Sequence, residues 1–520
     1  MFYDLLRHAK SGLLPLCRHF RRCLPHPALV PESFSVSDSQ SESSLSWLWK
    51  LFGSSHKEKT NSITIPKFPE RPEDVNLATA LQYGTATGLP QLQKFINDFV
   101  KNVYQPAYED WTTLVQTGNT DGWSRAILTL CNPGEVFITE DWTYPSALAS
   151  SEPYGIRPVG VPMDSEGMRS DELRKLLAEW DETARGCRRP HVMYTIPVGQ
   201  NPTGVTMGVA RKKEIYDICV AYDVIIVEDD PYYFLQMGAY VAKEARAPQA
   251  SRVESDKWIG SLTPSYLKLD YQGRVIRLDT FSKTIAPGSR LGFFTCNPRF
   301  AERLERAGET STQSPCGFGQ SLITQLLISW QYDGYVRWLH GLAVQYEARR
   351  DFMIDALAEE FKLQLSLGTT GAWRGCTVYT ASAKPQRRAG GTTEKFALDA
   401  DKMREKPYFS LVPPSSGMFV WVQMHFAHVR GFRAGDEDTL EMKLWTKIAE
   451  AGVLIGPGHF FSADGGAADG GSVGARACHF RISFSFGTRR LTHRRVQHED
   501  MKKAMKIFAE TVRDFFENPE

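Results

Sequence analysis

Three groups of polar residues follow short apolar runs in this sequence, and together they offer an amine, carboxylates, phenols and an amide. The groups are Asp229-Asp230-Pro231-Tyr232-Tyr233 after VIIVE (224–228), PVGQNPTG (197–204) after HVMYTI (191–196), and Asp279-Thr280-Phe281-Ser282-Lys283 after RVIRL (274–278). In open α/β sheets, ligands collect beyond the carboxyl ends of the strands, so these positions are candidates for a binding site. Each group alone also has an ordinary explanation, because an acidic pair can cap a helix, NPTG can form a turn and a loop lysine is usually solvated.

Taken together, the three groups match the needs of one cofactor, pyridoxal 5'-phosphate. The segment TFSKTIAPGSRLGF (280–293) adds hydroxyls and a guanidinium to the amine, carboxylate, phenol and amide. This cofactor requires an amine for its aldehyde, a carboxylate for its ring nitrogen, donors for its ring oxygen and an anion cradle for its phosphate. The combination therefore favours one cofactor site over three unrelated loops.

The elements that would position these groups are short strands that alternate with helices. EVFIT (135–139), IRPVGV (156–161) and LGFFT (291–295) also have the length and the β-branched or aromatic residues of strands. Helical patterns lie between such runs, as in ARKKEIYDICVAY (210–222), where Ile215 and Cys219 share one helix face. This alternation predicts an α/β fold with a mostly parallel sheet covered on both sides.

The character of the sequence changes twice along the chain. A Ser-rich and Lys-containing stretch (35–62) precedes the regular part, and a different mixture of helical and strand-like segments begins at about residue 345. We predict an N-terminal segment (1–80), a large domain (81–345) and the C-terminal part of a smaller domain (346–520). The polar insertion 381–402 and the Gly-rich segment 463–475 are expected to be surface loops.

Composition excludes several classes of protein. The chain has 520 residues, a formal net charge of +1 and 42% hydrophobic residues, which predicts a soluble globular protein and argues against nucleic acid as a partner. Its nine cysteines are scattered and never form CxxC, so neither a disulfide framework nor a zinc site is indicated. No apolar run approaches the roughly 18 to 20 residues of a membrane span.

The N-terminal 30 residues leave the cellular location open. They contain one acidic residue, Asp4, against five lysines and arginines, which is compatible with a mitochondrial presequence. A basic helix that packs on the folded body explains the same composition. We expect a cytoplasmic protein, with a mitochondrial location as the alternative.

From about Leu81 to Phe486 the sequence strongly resembles the fold type I pyridoxal-phosphate aminotransferases, and among them the fungal aromatic-amino-acid and 2-aminoadipate group. The resemblance is carried, in this order, by LQYGTATGLPQL, TGNTDGW, DWTYPSAL, QNPTG, VEDDPYYFLQ, TFSKTIAPGSRLGF, PSSGMFVW and HFRISFS. It implies a large domain with a seven-stranded sheet between helices, and a smaller α+β domain built from the N- and C-terminal segments. It also implies a homodimer with shared active sites.

The resemblance assigns the chemistry of the cofactor ring to four residues. Lys283 matches the lysine that binds the cofactor covalently and later moves a proton at the substrate's α-carbon. Asp230 matches the carboxylate that pairs with the ring nitrogen. Tyr233 and Asn201 match the groups that hydrogen-bond the ring oxygen.

The resemblance also assigns the remaining contacts of cofactor and substrate. The phosphate cradle would combine Asn119, Thr120, Thr280, Ser282 and Arg290. Three further matches are Tyr144, which would stack on the ring, Arg481, which would grip the substrate's α-carboxylate in a fork, and Tyr83, which would reach the phosphate of the neighbouring subunit.

The implied activity is transfer of the α-amino group of an aromatic amino acid to a 2-oxo acid, with 2-oxoglutarate expected, in a ping-pong cycle. Alternatives are 2-aminoadipate or kynurenine as the donor, and elimination or decarboxylation on the same fold and cofactor. A transcriptional regulator with an aminotransferase-like domain would need an N-terminal DNA-binding domain, and no basic recognition helix is visible. Arg22 and Cys23 stand where the family has pocket glycines, which leaves the accepted side chain open.

Overall fold

The structure is a computed structural model that describes residues 30–38, 61–246, 255–368, 371–384, 406–463, 478–485 and 494–519. Its strands are β1 (Ser33–Asp38), β2 (Asn61–Pro66), β3 (Thr112–Gln116), β4 (Val136–Glu140), β5 (Arg157–Val161), β6 (Met163–Asp164), β7 (Gly167–Met168), β8 (Val192–Thr195), β9 (Ile225–Asp229), β10 (Val275–Thr280), β11 (Gly292–Cys296), β12 (Lys362–Leu367), β13 (Thr377–Ser382), β14 (Pro407–Leu411), β15 (Phe419–Met424), β16 (Gly456–Pro457) and β17 (His479–Ser483).

The α-helices alternate with the first half of these strands and then enclose the second half. They are α1 (Leu77–Ala80), α2 (Pro90–Val103), α3 (Asn119–Leu130), α4 (Pro145–Ser151), α5 (Ser170–Ala178), α6 (Glu182–Arg185), α7 (Val209–Ala221), α8 (Ser255–Ser261), α9 (Pro298–Glu309), α10 (Gly317–Glu360), α11 (Glu437–Glu450) and α12 (Arg494–Glu517). Within α10, Gln331 has a φ of 56° and interrupts the regular helical geometry. No helix in the described ranges is both long and apolar enough to cross a membrane.

Local sequence signals explain where helices begin. α9 starts at Pro298, directly after Asn297, whose side-chain oxygen accepts the N–H groups of Arg299 and Phe300. Proline costs nothing at this first position, because its missing N–H would have had no intrahelical partner. α3 begins behind Gly118 without a side-chain cap, so its first N–H groups are available to an anion.

A seven-stranded sheet forms the large domain, with the order β3-β11-β10-β9-β8-β4-β5. All its neighbouring strands pair in parallel except β11, which is antiparallel to both β10 and β3. The mostly parallel seven-stranded sheet between helices is therefore confirmed.

Successive side chains of a strand point to opposite sides of the sheet, and here both sides are buried. On one side, called face A, Tyr194, Val227 and Leu278 belong to one apolar cluster. On the other side, called face B, Met193, Ile226 and Val275 belong to a second cluster. A residue at the end of a strand is therefore assigned to one face by its position in the alternation.

A separate antiparallel sheet of six strands follows, with the order β12-β13-β14-β15-β17-β16. α12 packs on this sheet, for example through Phe508, whose ring lies 5.6 Å from that of Phe409. A second domain with its own antiparallel sheet is confirmed, but the described strands of this sheet all come from the C-terminal part of the chain and none comes from the N-terminal segment. The part of α10 that follows the interruption at Gln331 runs across the predicted boundary at 345/346, so a helix spans that boundary.

The described N-terminal residues form a hairpin of β1 and β2. Ile65 of this hairpin packs with Leu77, and this small cluster contacts Leu322 and Ile328 of α10. Arg22, Cys23 and the basic N-terminal stretch lie outside the described residues, as do most of the insertions 381–402 and 463–475.

Candidate active site

Lys283 lies in the turn that follows β10, where its side chain is half-buried. Burial lowers the pKa of its amine, and the charges of Arg481 and Arg290 lower it further, whereas Tyr144 and Asp229 raise it. These four groups come from four distant parts of the chain. The structure therefore brings Lys283, Tyr144, Arg290 and Arg481 together, as the sequence predicts.

Asp229 is the carboxylate that lies on the same side of the seven-stranded sheet as Lys283. Its Oδ1 accepts a hydrogen bond from Asn119 Nδ2 at 2.7 Å, and its Oδ2 accepts one from the Tyr194 hydroxyl at 2.5 Å. Burial raises the pKa of Asp229, while these two hydrogen bonds lower it. Asn119 also donates to the carbonyl of Leu278 at 3.0 Å, so Asp229 is held in one orientation on face A.

Asp230 lies on the opposite side of the sheet from Lys283, on face B. Its Oδ2 accepts a hydrogen bond from Arg277 Nη1 at 3.1 Å, and Tyr233 packs on the same guanidinium at 4.8 Å. The physical reason is the two-residue alternation of the strand, which turns consecutive carboxylates to opposite faces. The structure thus corrects the sequence-based choice of Asp230 and Tyr233.

Tyr232 is the tyrosine of the pair that lies on face A. It is buried in the same apolar cluster as Tyr194 and Val227, with its ring 5.7 Å from the ring of Phe419. Burial raises the pKa of its hydroxyl, and the charge of Arg481 opposes this rise. Asp229 and Tyr232 have the same three-residue spacing as Asp230 and Tyr233, so spacing alone could not distinguish the two pairs.

Hydroxyl groups and a guanidinium converge beside the start of α3. Thr280 donates to the Ser282 hydroxyl at 2.9 Å, and Arg290 Nη1 donates to the same hydroxyl at 3.2 Å. Gly118 has a φ of 114°, and a side chain there would collide with Arg290 Nη2. The exposed Thr120 lies in the first turn of α3, so the predicted cradle residues other than Asn119 adjoin an uncapped helix start. The side chain of Asn119, also predicted for this cradle, donates to Asp229 instead.

Arg481 enters the site from β17 of the six-stranded sheet. Its Nη1 donates to Asn201 Oδ1 at 2.8 Å, and its guanidinium lies over the rings of Phe419 at 4.1 Å and Phe461 at 4.7 Å. Burial lowers the pKa of Arg481, and Tyr232 opposes this. Its Nε is buried without a hydrogen-bond partner among the described residues, so the guanidinium has donor capacity left for an anion.

Two further predicted residues, both tyrosines, differ in how exposed they are in the single chain. Tyr144 directly precedes α4 and is half-buried. Tyr83, in the segment after α1, is 74% exposed. Its predicted contact with a neighbouring subunit stays a prediction, because the structure describes one chain.

The donor set fits pyridoxal 5'-phosphate. An amine and an oriented carboxylate share face A, hydroxyls and a guanidinium adjoin an uncapped helix start, and a half-buried arginine has a buried Nε without a partner among the described residues. These groups are complementary to an aldehyde, a ring nitrogen, a phosphate and a carboxylate, respectively. Sequence reasoning missed Tyr194, although its place in the strand HVMYTI gave a signal, because a buried hydroxyl needs a partner.

Comparisons with known proteins agree with this geometry. Residues 60–387 match the family model described as "Aminotransferase class I and II". An aromatic amino acid aminotransferase of Schizosaccharomyces pombe is 33% identical over 435 residues, which cover 84% of this chain and 82% of the relative. An L-tyrosine:2-oxoglutarate aminotransferase of Tapinella panuoides is 30% identical over 494 residues, covering 88% and 83%.

A solved structure is similar along nearly the whole chain. The crystal structure of aminotransferase Aro8 from Candida albicans has a TM-score of 0.74 and 30% sequence identity, and the match covers 95% of this chain and 91% of that one. The chain therefore belongs to the class I and II aminotransferases, a family that depends on pyridoxal phosphate.

Proposed function

We propose that this aminotransferase takes its amino group from an aromatic L-amino acid and passes it to 2-oxoglutarate. The observation that carries the proposal is the aromatic lining of the carboxylate site, where the rings of Phe419, Phe461 and Tyr232 surround Arg481. Such a lining favours an apolar, aromatic side chain on the bound amino acid. The names of the Schizosaccharomyces and Tapinella relatives support the same donor and acceptor.

When bound, pyridoxal 5'-phosphate supplies an aldehyde that accepts the amino group and a ring that takes up electron density from the substrate's α-carbon. Lys283 would hold the aldehyde and carry the proton at the α-carbon, since its lowered pKa leaves more neutral amine near neutral pH. Asp229, rather than Asp230, would pair with the ring nitrogen. Tyr232, rather than Tyr233, would join Asn201 at the ring oxygen.

The remaining groups bind and orient. Thr120, Thr280, Ser282, Arg290 and the N–H groups at the start of α3 would hold the phosphate. Arg481 would bind the substrate's carboxylate, with Asn201 fixing one side of the guanidinium. Tyr144 would stack on the ring.

A homodimer with shared active sites and a cytoplasmic location are part of the same proposal. The dimer rests on the family resemblance at Tyr83, whose ring is 74% exposed in one chain and is therefore accessible to a second copy. A mitochondrial location stays the alternative, and import of a tagged full-length chain would separate the two.

A panel of donors with 2-oxoglutarate tests the substrate assignment. We expect kcat/KM for phenylalanine, tyrosine and tryptophan to exceed that for leucine, methionine, 2-aminoadipate and kynurenine by at least about tenfold. A preference for 2-aminoadipate or kynurenine would replace the aromatic assignment by that alternative. Release of ammonia or carbon dioxide in place of glutamate would favour elimination or decarboxylation.

A further inference from the structure

A cluster of five charged side chains lies buried on face B, directly behind the active site. It consists of Lys212, Glu228, Asp230, Arg277 and Asp279, and each of these residues is at most 6% exposed. We call it the Arg277 cluster. Within the described part of the chain, none of its side chains forms a hydrogen bond or ion pair with Lys283, Arg290 or Arg481. The cluster nevertheless occupies the ends of β9 and β10, the strands that carry Asp229 and lead to Lys283.

Arg277 holds the cluster together across the two strands. Its Nη1 lies 3.2 Å from Glu228 Oε2 and 3.1 Å from Asp230 Oδ2, both at the end of β9. Its Nε and Nη2 donate to the two oxygens of Asp279 on β10, at 2.9 and 3.1 Å. One guanidinium thus joins three carboxylates and ties two strand ends to each other.

The three carboxylates differ in how completely they are hydrogen-bonded. Glu228 also accepts bonds from the Ser265 hydroxyl and the Tyr266 N–H. Asp279 also accepts a bond from the Tyr104 hydroxyl at 2.7 Å. Asp230 Oδ1 is buried and has no partner among the described residues.

The formal charges of the cluster do not balance. Lys212 and Arg277 carry two positive charges, whereas three ionised carboxylates would carry three negative ones. Lys212 donates to the carbonyl of Pro264 at 2.7 Å, so its charge is already partly satisfied. An excess negative charge in an apolar interior is costly, and a buried carboxyl commonly avoids that cost by keeping its proton.

A small cavity is lined in part by Asp230, the residue with the unpartnered oxygen. It has a volume of about 20 Å³ and is lined by Asp230, Asp279, Thr284, Tyr335 and several phenylalanines. This is enough space for one water molecule, which needs polar partners such as these. A protonated Asp230 would therefore have an acceptor within the cavity for its O–H.

We propose that the Arg277 cluster keeps one proton, on Asp230, and that in this charge-balanced state it clamps the ends of β9 and β10 and so positions Asp229 and Lys283. Asp230 is then a positioning residue that acts as a neutral acid. The titratable and charged groups around it are Arg277 and Asp279 from β10, Glu228 from β9, Lys212 from α7, Tyr104 directly after α2, and Tyr233 after β9. Burial raises the pKa of Asp230 to about 7, in agreement with the charge count.

The proton on Asp230 also matters for the carboxylate on the other face. The charge of Arg277 lowers the pKa of Asp229, and the charge of Asp279 raises it, so charges on face B act through the sheet. A second ionised carboxylate behind Asp229 would raise its pKa further and weaken its pairing with a cationic ring nitrogen.

Asp230→Asn in the cofactor-loaded enzyme tests the proton directly, because the amide keeps the shape of the neutral acid. The infrared difference spectrum between wild type and variant at pH 6 should contain the carbonyl band of a protonated carboxyl, which disappears as the pH rises through about 7. Glu140→Gln is the matched control, since Glu140 is another buried carboxyl with a pKa raised to about 7 and lies at the end of β4. Only the band assigned to Asp230 should be lost in Asp230→Asn.

Thermal unfolding supplies a second measurement that does not depend on activity. Because the folded-state pKa of Asp230 is raised above its value of 3.8 in the unfolded chain, its protonated form stabilises the fold at low pH and loses this effect as the pH rises toward 7. Asparagine does not titrate and lacks this pH dependence. The difference between the Tm of the variant and the Tm of wild type should therefore increase by about 1–3 °C from pH 5 to pH 8.

Three outcomes would overturn the proposal: an unchanged infrared band in Asp230→Asn, a Tm difference that is constant with pH, or failure of the variant to fold at pH 6. The last counts against it because a neutral acid at this position should be replaceable by its amide.

Discussion

The site around Lys283 and the Arg277 cluster lie back to back at the ends of the same two strands, and both are built from arginine, carboxylate and tyrosine side chains. They differ in what is left unsatisfied. Around Lys283, the amine is half-buried, Arg290 is exposed and Arg481 Nε has no partner among the described residues. In the Arg277 cluster, by contrast, Nε, Nη1 and Nη2 of Arg277 each contact a carboxylate oxygen.

This difference in unpartnered donors indicates which of the two polar clusters binds a ligand. A binding site keeps free donors that a ligand can satisfy, whereas the Arg277 cluster uses its donors internally and leaves only an acceptor, Asp230 Oδ1, without a partner among the described residues. Consecutive residues of the same type, Asp229 and Asp230, belong to one cluster each. Substitutions in the two clusters should therefore affect different measurements, activity in the first and stability in the second.

Among substitutions on face A, Lys283→Ala should have the largest effect on turnover. Without the amine, the cofactor cannot be held covalently and no base is left at the α-carbon, so turnover should fall by at least about a thousandfold. The absorbance of the lysine-bound cofactor should disappear as well, while the Tm of the protein without cofactor stays close to that of wild type. Retention of both turnover and absorbance would refute the role of Lys283.

Arg277→Met should have the largest effect on face B. Removing the guanidinium leaves three buried carboxylates against Lys212 alone, and breaking a buried ion pair from one side costs about 3–5 kcal/mol of unfolding free energy. Chemical denaturation measures the loss. The matched control is Arg306→Met, because Arg306 pairs with Glu309 on the surface of α9 at 3.2 Å, and this change should alter stability little. Equal effects of the two substitutions would remove the distinction between the clusters.

Asp229→Asn and Asp230→Asn compare the two faces with the same chemical change at adjacent positions. Loss of the carboxylate at Asp229 should lower kcat by about a hundredfold or more, because the charge opposite the ring nitrogen is removed. The same change at Asp230 should lower kcat by less than about threefold, since the amide replaces a neutral acid. Steady-state kinetics at pH 6, where Asp230 keeps its proton, with saturating cofactor measure both, and a reversed order would restore the sequence-based choice of Asp230.

The sequence predicts much of the fold and of the site because its signals are local. Strand-length apolar runs between helical patterns predict the parallel sheet, and the segment after each run supplies Asn201, Lys283 and Arg290 at the strand ends. Arg481 is predicted by the same kind of local motif, although it comes from the other sheet.

The choice between Asp229 and Asp230 could not be made from the sequence for a physical reason. A strand in the middle of a parallel sheet is covered on both faces, so VIIVE is apolar at every position before Glu228 and shows no alternation that would identify a face. Arg277 was overlooked because its significance depends on carboxylates that the fold brings to it from β9. Only the register of β9 against β10, in which Leu278 lies opposite Asp229, resolves both points.

Arg481→Lys should have a smaller effect than Asp229→Asn, and it tests whether the unpartnered donor of Arg481 binds the substrate's carboxylate. Lysine keeps the charge but loses the planar fork, so it cannot hold Asn201 and a carboxylate at the same time. The KM for phenylalanine should rise about tenfold to a hundredfold, as expected for loss of one hydrogen bond to a charged group, while kcat changes less. Phenethylamine, which lacks the carboxylate, serves as the control substrate: its poor reactivity should be the same in wild type and variant. If the variant loses reactivity toward both substrates equally, then Arg481 stabilises the site as a whole, as Arg277 does on the opposite face, and does not grip the carboxylate.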